Sequence, residues 1–406
     1  MNIPHDKFCV LPWVSLEASP IGTVRPCCLA LDEITDDSGN KYRLKDTPLS
    51  DIQNSQYMIN LRQEFLDGNK PQTCRRCWQE ERAGRTSKRM HTLDRLKHMG
   101  IEPTWTTDAK PLMFLDLKLG NICNLKCRIC GSWSSSQFAA EEIKYNRKEE
   151  QRGSFAYQML REGAWPRESA EFWADLEHHL VDVRYIEFTG GEPFMIKEHF
   201  QLLQRLVELD YAQQIEIHYN TNGTQWPEEA EVIWKHFKHV EIAFSIDDVN
   251  ERFEYQRTNA SWQEVVANLE KFKQLRSRNK NITLQSCCTI NIFNVYYLET
   301  VANWIIEQGF DFNYWNMMHD AYYFSIATLP TPAKTVIAER LRTASVPDQV
   351  KEEFNRVADF MLRGNSLEDA HLLKMNLRDL DFKRSQNLAI VEPEFAQLIN
   401  YDFTNS

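Results

Sequence analysis

The chain has 406 residues, 42% of them hydrophobic, enough to bury two or three cores, and ten of them are cysteine. Its net charge of −11 argues against broad nucleic-acid binding, for which a basic face would be needed. Met1-Asn-Ile-Pro-His-Asp-Lys7 has no apolar signal core and no 18-residue apolar run follows, so a soluble, cytoplasmic protein without a membrane segment is predicted. No low-complexity tract or internal repeat interrupts it. Most of the ten cysteines have metal-cluster spacing rather than the look of a disulfide framework, and a reducing compartment suits that use.

In chain order, the first constellation is Cys9, twelve residues, Gly22, four residues and Cys27, followed much later by Cys74-Arg-Arg-Cys77. Cys28 falls outside this spacing. Four thiolates so arranged suffice to close one metal site, and spacing alone does not separate zinc from iron when every ligand is cysteine. From Arg75 to Lys97 there are eight Lys or Arg against three acids. These charges either form a wall for an acidic substrate or offset a thiolate cluster and pair with acidic segments elsewhere. Boundaries fall near residues 105 and 328, giving segments 1–105, 106–328 and 329–406.

Leu112 to Lys118 reads as a strand leading into Asn121-Ile-Cys-Asn-Leu-Lys-Cys-Arg-Ile-Cys130. Cys123, Cys127 and Cys130 lie in one short loop and no fourth cysteine follows until Cys287, so the four-thiolate closure of an electron-transfer cluster is missing locally. A structural zinc site completed by a distant residue is the competing reading. Val183 to Pro193 is a strand ending in Gly190-Gly191-Glu192-Pro193; glycines let backbone approach a ligand, and Glu192 suits an ammonium group. Ile215 to Gly223, Val240 to Asp247 and Ile282 to Asn291 are further β-rich runs with polar ends, each followed by a helical pattern. Ser261 and Glu264 propose a capping box; Val265, Leu269 and Phe272 share one helical face. Thr331-Pro332 opens another helix with an N-cap, and helical periodicity from Leu367 to Ile399 is broken at Pro393. The fold class is therefore α/β: a parallel, TIM-like barrel behind a small cysteine-rich domain, with a helical C-terminal segment.

The cysteine loop and the Gly-Gly-Glu-Pro run together resemble the radical S-adenosylmethionine (SAM) superfamily, whose signature is Cys-x3-Cys-x2-Cys after the first strand of a partial (β/α)6 barrel. The resemblance implies that Cys123, Cys127 and Cys130 hold a [4Fe-4S] cluster with one open iron. It also implies that Gly190, Gly191, Glu192 and Pro193 hold the SAM amino group and that Asn220, Ser245, Arg257 and Asn291 line the SAM site. Ile129 departs from the aromatic residue often found there. The N-terminal cysteines Cys9, Cys27, Cys74 and Cys77 resemble the twitch domain, a shorter relative of the SPASM domain, here placed before the barrel. They would fully ligate one auxiliary [4Fe-4S] cluster.

For such an enzyme the resemblance implies reductive cleavage of SAM to a 5′-deoxyadenosyl radical, hydrogen abstraction from a small-molecule or peptide substrate, and an electron donor such as flavodoxin or ferredoxin. A closed auxiliary cluster suits electron relay in an oxidative modification. Alternatively, a thiol at Cys287 returns a hydrogen atom in a redox-neutral epimerisation or isomerisation. Period-two alternation places Gln285, Cys287, Thr289 and Asn291 on one face, leaving Cys288 on the other. Tyr314, Trp315, Asn316, His319, Tyr322 and Tyr323 near the last strand would line a substrate pocket or simply pack.

Overall fold

The computed structural model describes residues 3–82, 86–101, 104–318, 321–363 and 370–402. Ten strands occur among the described residues: β1 Ser15–Ala18, β2 Val24–Arg25, β3 Phe114–Leu117, β4 Lys126–Cys127, β5 Tyr185–Phe188, β6 Glu216–Thr221, β7 His239–Phe244, β8 Arg257–Thr258, β9 Ile282–Ile290 and β10 Phe312–Met317. Eight of them form one sheet in the order β10-β9-β7-β6-β5-β3-β1-β2, and β4 pairs with β8 alone. The β1–β3, β3–β5, β5–β6 and β9–β10 pairs are parallel, and the β1–β2 hairpin is antiparallel. Strands β3, β5, β6, β7, β9 and β10 alternate with helices, the architecture of a partial (β/α)6 barrel. No helix among the described residues is long and apolar enough to cross a membrane.

The chain divides into two compact units whose boundaries run through the sheet: residues 1–122, 139–219 and 228–240 in one, 123–138, 220–227 and 241–406 in the other. In the first, β1 from the cysteine-rich segment pairs directly with β3, so that segment contributes a strand to the main sheet. Glu17, Asp116, Glu187 and His218 stand side by side in the register of β1, β3, β5 and β6. Helix Lys88–His98 covers this polar face: Lys88 Nζ donates to Glu187 Oε2 at 2.7 Å, Arg95 pairs with Glu216, and the Arg95 guanidinium lies 4.2 Å from the Tyr185 ring centroid. Arg89 pairs with Glu81 and Lys97 with Asp94. The basic run after Cys77 is thus largely paired with acids, while Arg85 lies outside the described residues.

On the opposite face of β5 and β6, Phe188 stacks on Tyr219 at 5.3 Å and meets the His199 ring at 5.0 Å. Burial pulls the His199 imidazole down to about 4, outweighing its contacts with the Ile196 and Pro193 backbone, and its Nε2 has no partner. Its folded pKa lies below the unfolded 6.5, so unfolding takes up a proton between these values and stability falls as pH drops from 6.5 towards 4. This loss should reach about 3 kcal/mol and be absent in His199→Phe, read from urea midpoints across that pH range.

In the second unit, Phe244 packs edge-on against Phe272 of helix Trp262–Arg278, whose N-cap Ser261 accepts from the Glu264 N–H at 3.4 Å. One local expectation is corrected. Thr331 is the first residue of helix Thr331–Thr343 and not its cap; Pro330 holds that place and no side chain caps it, since proline at the second helical position already removes an orphan donor. The expected break at Pro393 is present, since helix Leu388–Val391 ends before it and Pro393 opens helix Pro393–Leu398; a further break follows Arg384, where Ser385 adopts φ 53°. Leu367 lies outside the described residues.

Candidate functional site

Cys9, Cys27 and Cys77 are buried, Cys74 is half-buried, and none of the ten cysteines forms a disulfide. Cys9 follows a turn closed by the Phe8 N–H to the His5 carbonyl, Cys27 leaves hairpin strand β2, and Cys74 and Cys77 flank the start of helix Arg75–Arg82. Burial raises the Cys9 thiol well above its ordinary value, and the neighbouring Cys74 and Cys27 thiolates raise it further. Burial likewise pushes Cys77 up to about 11, with Cys27 adding repulsion. Four neighbouring thiols, three buried and one half-buried, that resist ionisation suit a cationic centre, which would stabilise them as thiolates. Among the described residues no three Cys, His, Asp or Glu side chains gather as for one metal ion. A [4Fe-4S] cage takes one thiolate per iron at its corners, a wider arrangement than the tetrahedron around one zinc.

Cys28 turns away from this set. Its Sγ accepts from Lys88 Nζ at 2.9 Å, and Lys88 also faces Asp116 Oδ2 at 3.7 Å. Burial opposes the Lys88 charge, yet Cys28, Glu187 and Asp116 together hold its pKa well above the ordinary lysine value. Lys118 pairs with Glu17, which in turn takes Arg25 through two hydrogen bonds. These charges bridge the cysteine-rich segment and the strand ends within the first unit.

In the same unit the Gly-Gly-Glu-Pro turn sits against the segment after β3. Gly190 has φ 104°, and a Cβ there would stand 3.0 Å from the Gly120 carbonyl oxygen. A Cβ on Gly191 would lie 2.2 Å from the Ile122 carbonyl oxygen, so backbone passes backbone with no room for a side chain. The Glu192 N–H donates to that oxygen at 2.7 Å, its carboxylate accepts from the Phe194 N–H at 3.3 Å, and Pro193 begins a short 3-10 helix. Glu192 is fully buried.

The second unit holds the three-cysteine loop, all three residues half-buried. Cys123 Sγ accepts from the Leu125 N–H at 3.4 Å and from Asn222 Nδ2 at 3.7 Å. Cys127 stands opposite Arg257 in the β4–β8 pair, and Arg257 Nη1 donates to its Sγ at 3.7 Å. Cys130 is tied back by its N–H to the Cys127 carbonyl at 3.1 Å. Arg257 Nη2 donates to Asp247 Oδ2 at 2.6 Å, while its Nε is buried without a partner. Burial opposes the Arg257 charge, but Asp247 outweighs it and keeps the guanidinium fully protonated. Donors aimed at cysteine sulfur are the means by which proteins stabilise and tune bound iron-sulfur clusters, and the residues present fit one.

Ser245, half-buried, is fixed by its N–H to the Thr221 carbonyl at 2.9 Å, and Asn220 lies half-buried at the end of β6. Asn291 follows the end of β9. Fully buried, it spends Nδ2 on the Thr289 carbonyl and Gln256, and Oδ1 on the Phe293 N–H. Sequence reasoning passed over Asn222, although it shares the alternation of Asn220 and stands in the same polar strand end. Asp247, partner of Arg257, closes the next such run. Cys287 is half-buried beside Tyr314 in the β9–β10 register and accepts from Asn316 Nδ2 at 3.0 Å, whereas Cys288 is fully buried near the Asp247 carbonyl. Trp315 packs on Phe354, Tyr322 and Tyr323 on one another, and His319 lies outside the described residues.

A mostly parallel α/β sheet with a three-cysteine loop after its first barrel strand, and four further cysteines ahead of it, defines an iron-sulfur enzyme of the barrel type. Residues 117–298 match the Radical SAM superfamily and residues 9–78 match SPASM, an iron-sulfur cluster-binding domain. The chain thus carries a radical SAM domain and, ahead of it, a SPASM or twitch-like cluster domain. These two domains imply a SAM-binding [4Fe-4S] cluster, SAM itself and an auxiliary iron-sulfur cluster. No curated protein matches the chain. Similar solved structures include native anSMEcpe with bound AdoMet and Cp18Cys peptide, at 16% identity over 57% of this chain and 59% of that one, TM-score 0.37. They also include Streptococcus suis SuiB bound to S-adenosylmethionine, at 13% identity over 72% and 59%, TM-score 0.33. TYW1 with a lysine-pyruvate adduct bound follows at 11% identity over 58% and 72%, TM-score 0.31. The chain spans about three-fifths of the first of these, and similarity this distant says nothing about substrate.

Proposed function

We propose that this chain reductively cleaves SAM and directs the resulting radical to a substrate C–H bond, with Cys123, Cys127 and Cys130 as ligands of the SAM-binding cluster. The observation that carries this reading is Arg257, paired strand to strand with Cys127, donating to its sulfur and keeping a buried Nε unsatisfied. A guanidinium so held suits a carboxylate such as that of SAM. Glu192 takes the amino group, the glycines Gly190 and Gly191 and Pro193 shape the turn, and Asn220 and Ser245 offer polar contacts. Asn291 is omitted because its hydrogen bonds are already spent within the turn after β9. When bound, the cluster supplies an electron to SAM and the cofactor supplies the hydrogen-abstracting radical.

Cys9, Cys27, Cys74 and Cys77 ligate the auxiliary cluster. Because four thiols are provided, every iron has a protein ligand, and its task is electron relay in an oxidative modification. An external reductant, such as flavodoxin or ferredoxin, completes the electron supply. The test is SAM turnover by anaerobically reconstituted protein under dithionite: 5′-deoxyadenosine and methionine support the reading, and their absence with both clusters loaded sinks it.

One observation favours a redox-neutral alternative: Cys287 is held by Asn316 on a face shared with half-exposed Tyr314. If its thiol returns hydrogen, product made in heavy water carries deuterium, and Cys287→Ser stops product while 5′-deoxyadenosine still forms. In the oxidative reading we expect no solvent deuterium and less than about a twofold change in kcat for Cys287→Ser.

A further inference from the structure

Arg128 lies in the cysteine loop between Cys127 and Cys130, and neither its side chain nor that of Asp381 has any solvent exposure. Its Nη2 donates to Asp381 Oδ1 at 2.6 Å and to Gln386 Oε1 at 3.0 Å, and its Nε donates to the Tyr255 carbonyl at 2.9 Å. The guanidinium also lies 3.6 Å from the Tyr255 ring centroid. Asp381 belongs to helix Ala370–Arg384, 253 residues further along the chain. It further accepts from the Tyr255 hydroxyl at 2.8 Å, the Tyr401 hydroxyl at 2.8 Å and the Leu388 N–H at 3.0 Å.

The same segment grips the opposite strand. Thr258 donates its hydroxyl to Gln386 Oε1 at 3.2 Å and accepts from Arg384 Nη1 at 3.3 Å. Thr258 and Arg257 form β8, which pairs residue for residue with Lys126 and Cys127. One end of one C-terminal helix therefore holds both halves of the two-stranded element that carries the second cysteine and its arginine. Neither family match reaches this segment, since they end at residues 78 and 298. A buried guanidinium is costly unless paired, so this contact is either kept whole or breaks at large cost to the loop around it.

We infer that residues 370–402 form a clamp on the cysteine loop, with Asp381 as the positioning residue that sets Cys127, Cys130 and Arg257 for cluster ligation and SAM binding. The inference rests on the assignment of these cysteines to the SAM-binding cluster. It predicts that a change at Asp381 acts selectively on that cluster and leaves the auxiliary one intact, although Asp381 is itself no ligand.

The experiment uses the full-length, anaerobically reconstituted protein and compares wild type with Asp381→Asn, Asp381→Glu and Gln386→Ala. Iron content, circular dichroism, electron paramagnetic resonance of the reduced protein with and without SAM, and the SAM KM and kcat for dithionite-driven cleavage are read for each. Asp381→Asn should keep its helicity and about four auxiliary irons while losing most of the others. Asp381→Glu should regain iron. Gln386→Ala should keep both clusters but raise the SAM KM by about fivefold or more, with an altered SAM-dependent spectrum. Wild-type-like iron, KM and spectra in both Asp381→Asn and Gln386→Ala would overturn the clamp. So would loss of both clusters and of helicity in Asp381→Asn alongside a wild-type-like Gln386→Ala, because the pair would then serve folding only. Absence of SAM cleavage in the wild type is the separate result that overturns the underlying assignment, and the clamp with it.

Discussion

Replacing Cys123, Cys127 and Cys130 together with alanine should lower the iron content of anaerobically reconstituted protein from about eight to about four per chain and abolish SAM cleavage. The surviving irons would be those held by Cys9, Cys27, Cys74 and Cys77, all of which belong to the other compact unit. The triple change is the sharper choice because losing one thiolate leaves two that still scavenge iron or zinc. Zinc found in place of iron, or cleavage that survives the triple substitution, would remove the basis for a radical reaction here. The converse change, Cys9 and Cys74 to alanine, should spare SAM cleavage and strip the auxiliary irons.

Gly191→Ala is expected to be the most damaging single change of a residue that is not a metal ligand. The new Cβ would meet the Ile122 carbonyl oxygen at 2.2 Å and the Asn121 and Ile122 carbonyl carbons at 2.8 Å, all backbone atoms that cannot swing aside. Glu192 must then move away from Ile122, breaking the 2.7 Å hydrogen bond that joins the turn to the residue immediately before Cys123. Overpacking of this kind costs about 1–3 kcal/mol. If it falls on the bound state, SAM affinity drops by a factor of about 5–150. Gly153→Ala, whose Cβ would find its nearest neighbour at 4.0 Å, is the control and should bind SAM like wild type in equilibrium titrations of the reconstituted protein. Equal SAM affinity in the two variants would show that the turn plays no part in holding the cofactor.

Much of the architecture was legible because it depends on local periodicity. The runs at Leu112, Val183, Ile215, Val240 and Ile282 become β3, β5, β6, β7 and β9, shortened by a residue or two where polar ends leave the ladder. Alternation also sorted Cys287 from Cys288 correctly, since side chains on a strand have only two sides. Helix ends were less legible: Thr331 is misplaced by one position, because a proline in the first turn does not fix which residue caps it, whereas the break at Pro393 was read correctly. Asn291 illustrates the same limit within the site, for its parity is right while its amide is consumed by the turn that follows.

By itself the sequence determined the cysteine spacings, the turn that only glycine can make, and the alternation of strand and helix, all set by spacings short enough for a few residues to encode. Only the tertiary structure decided that β1 of the cysteine-rich segment joins the main sheet, that Lys88 rather than a metal holds Cys28, and that Asp381 holds Arg128. Those contacts join residues 60 to 253 positions apart. Each depends on burial that makes an unpaired charge costly and so selects the one partner the fold brings near, which no local pattern along the chain records.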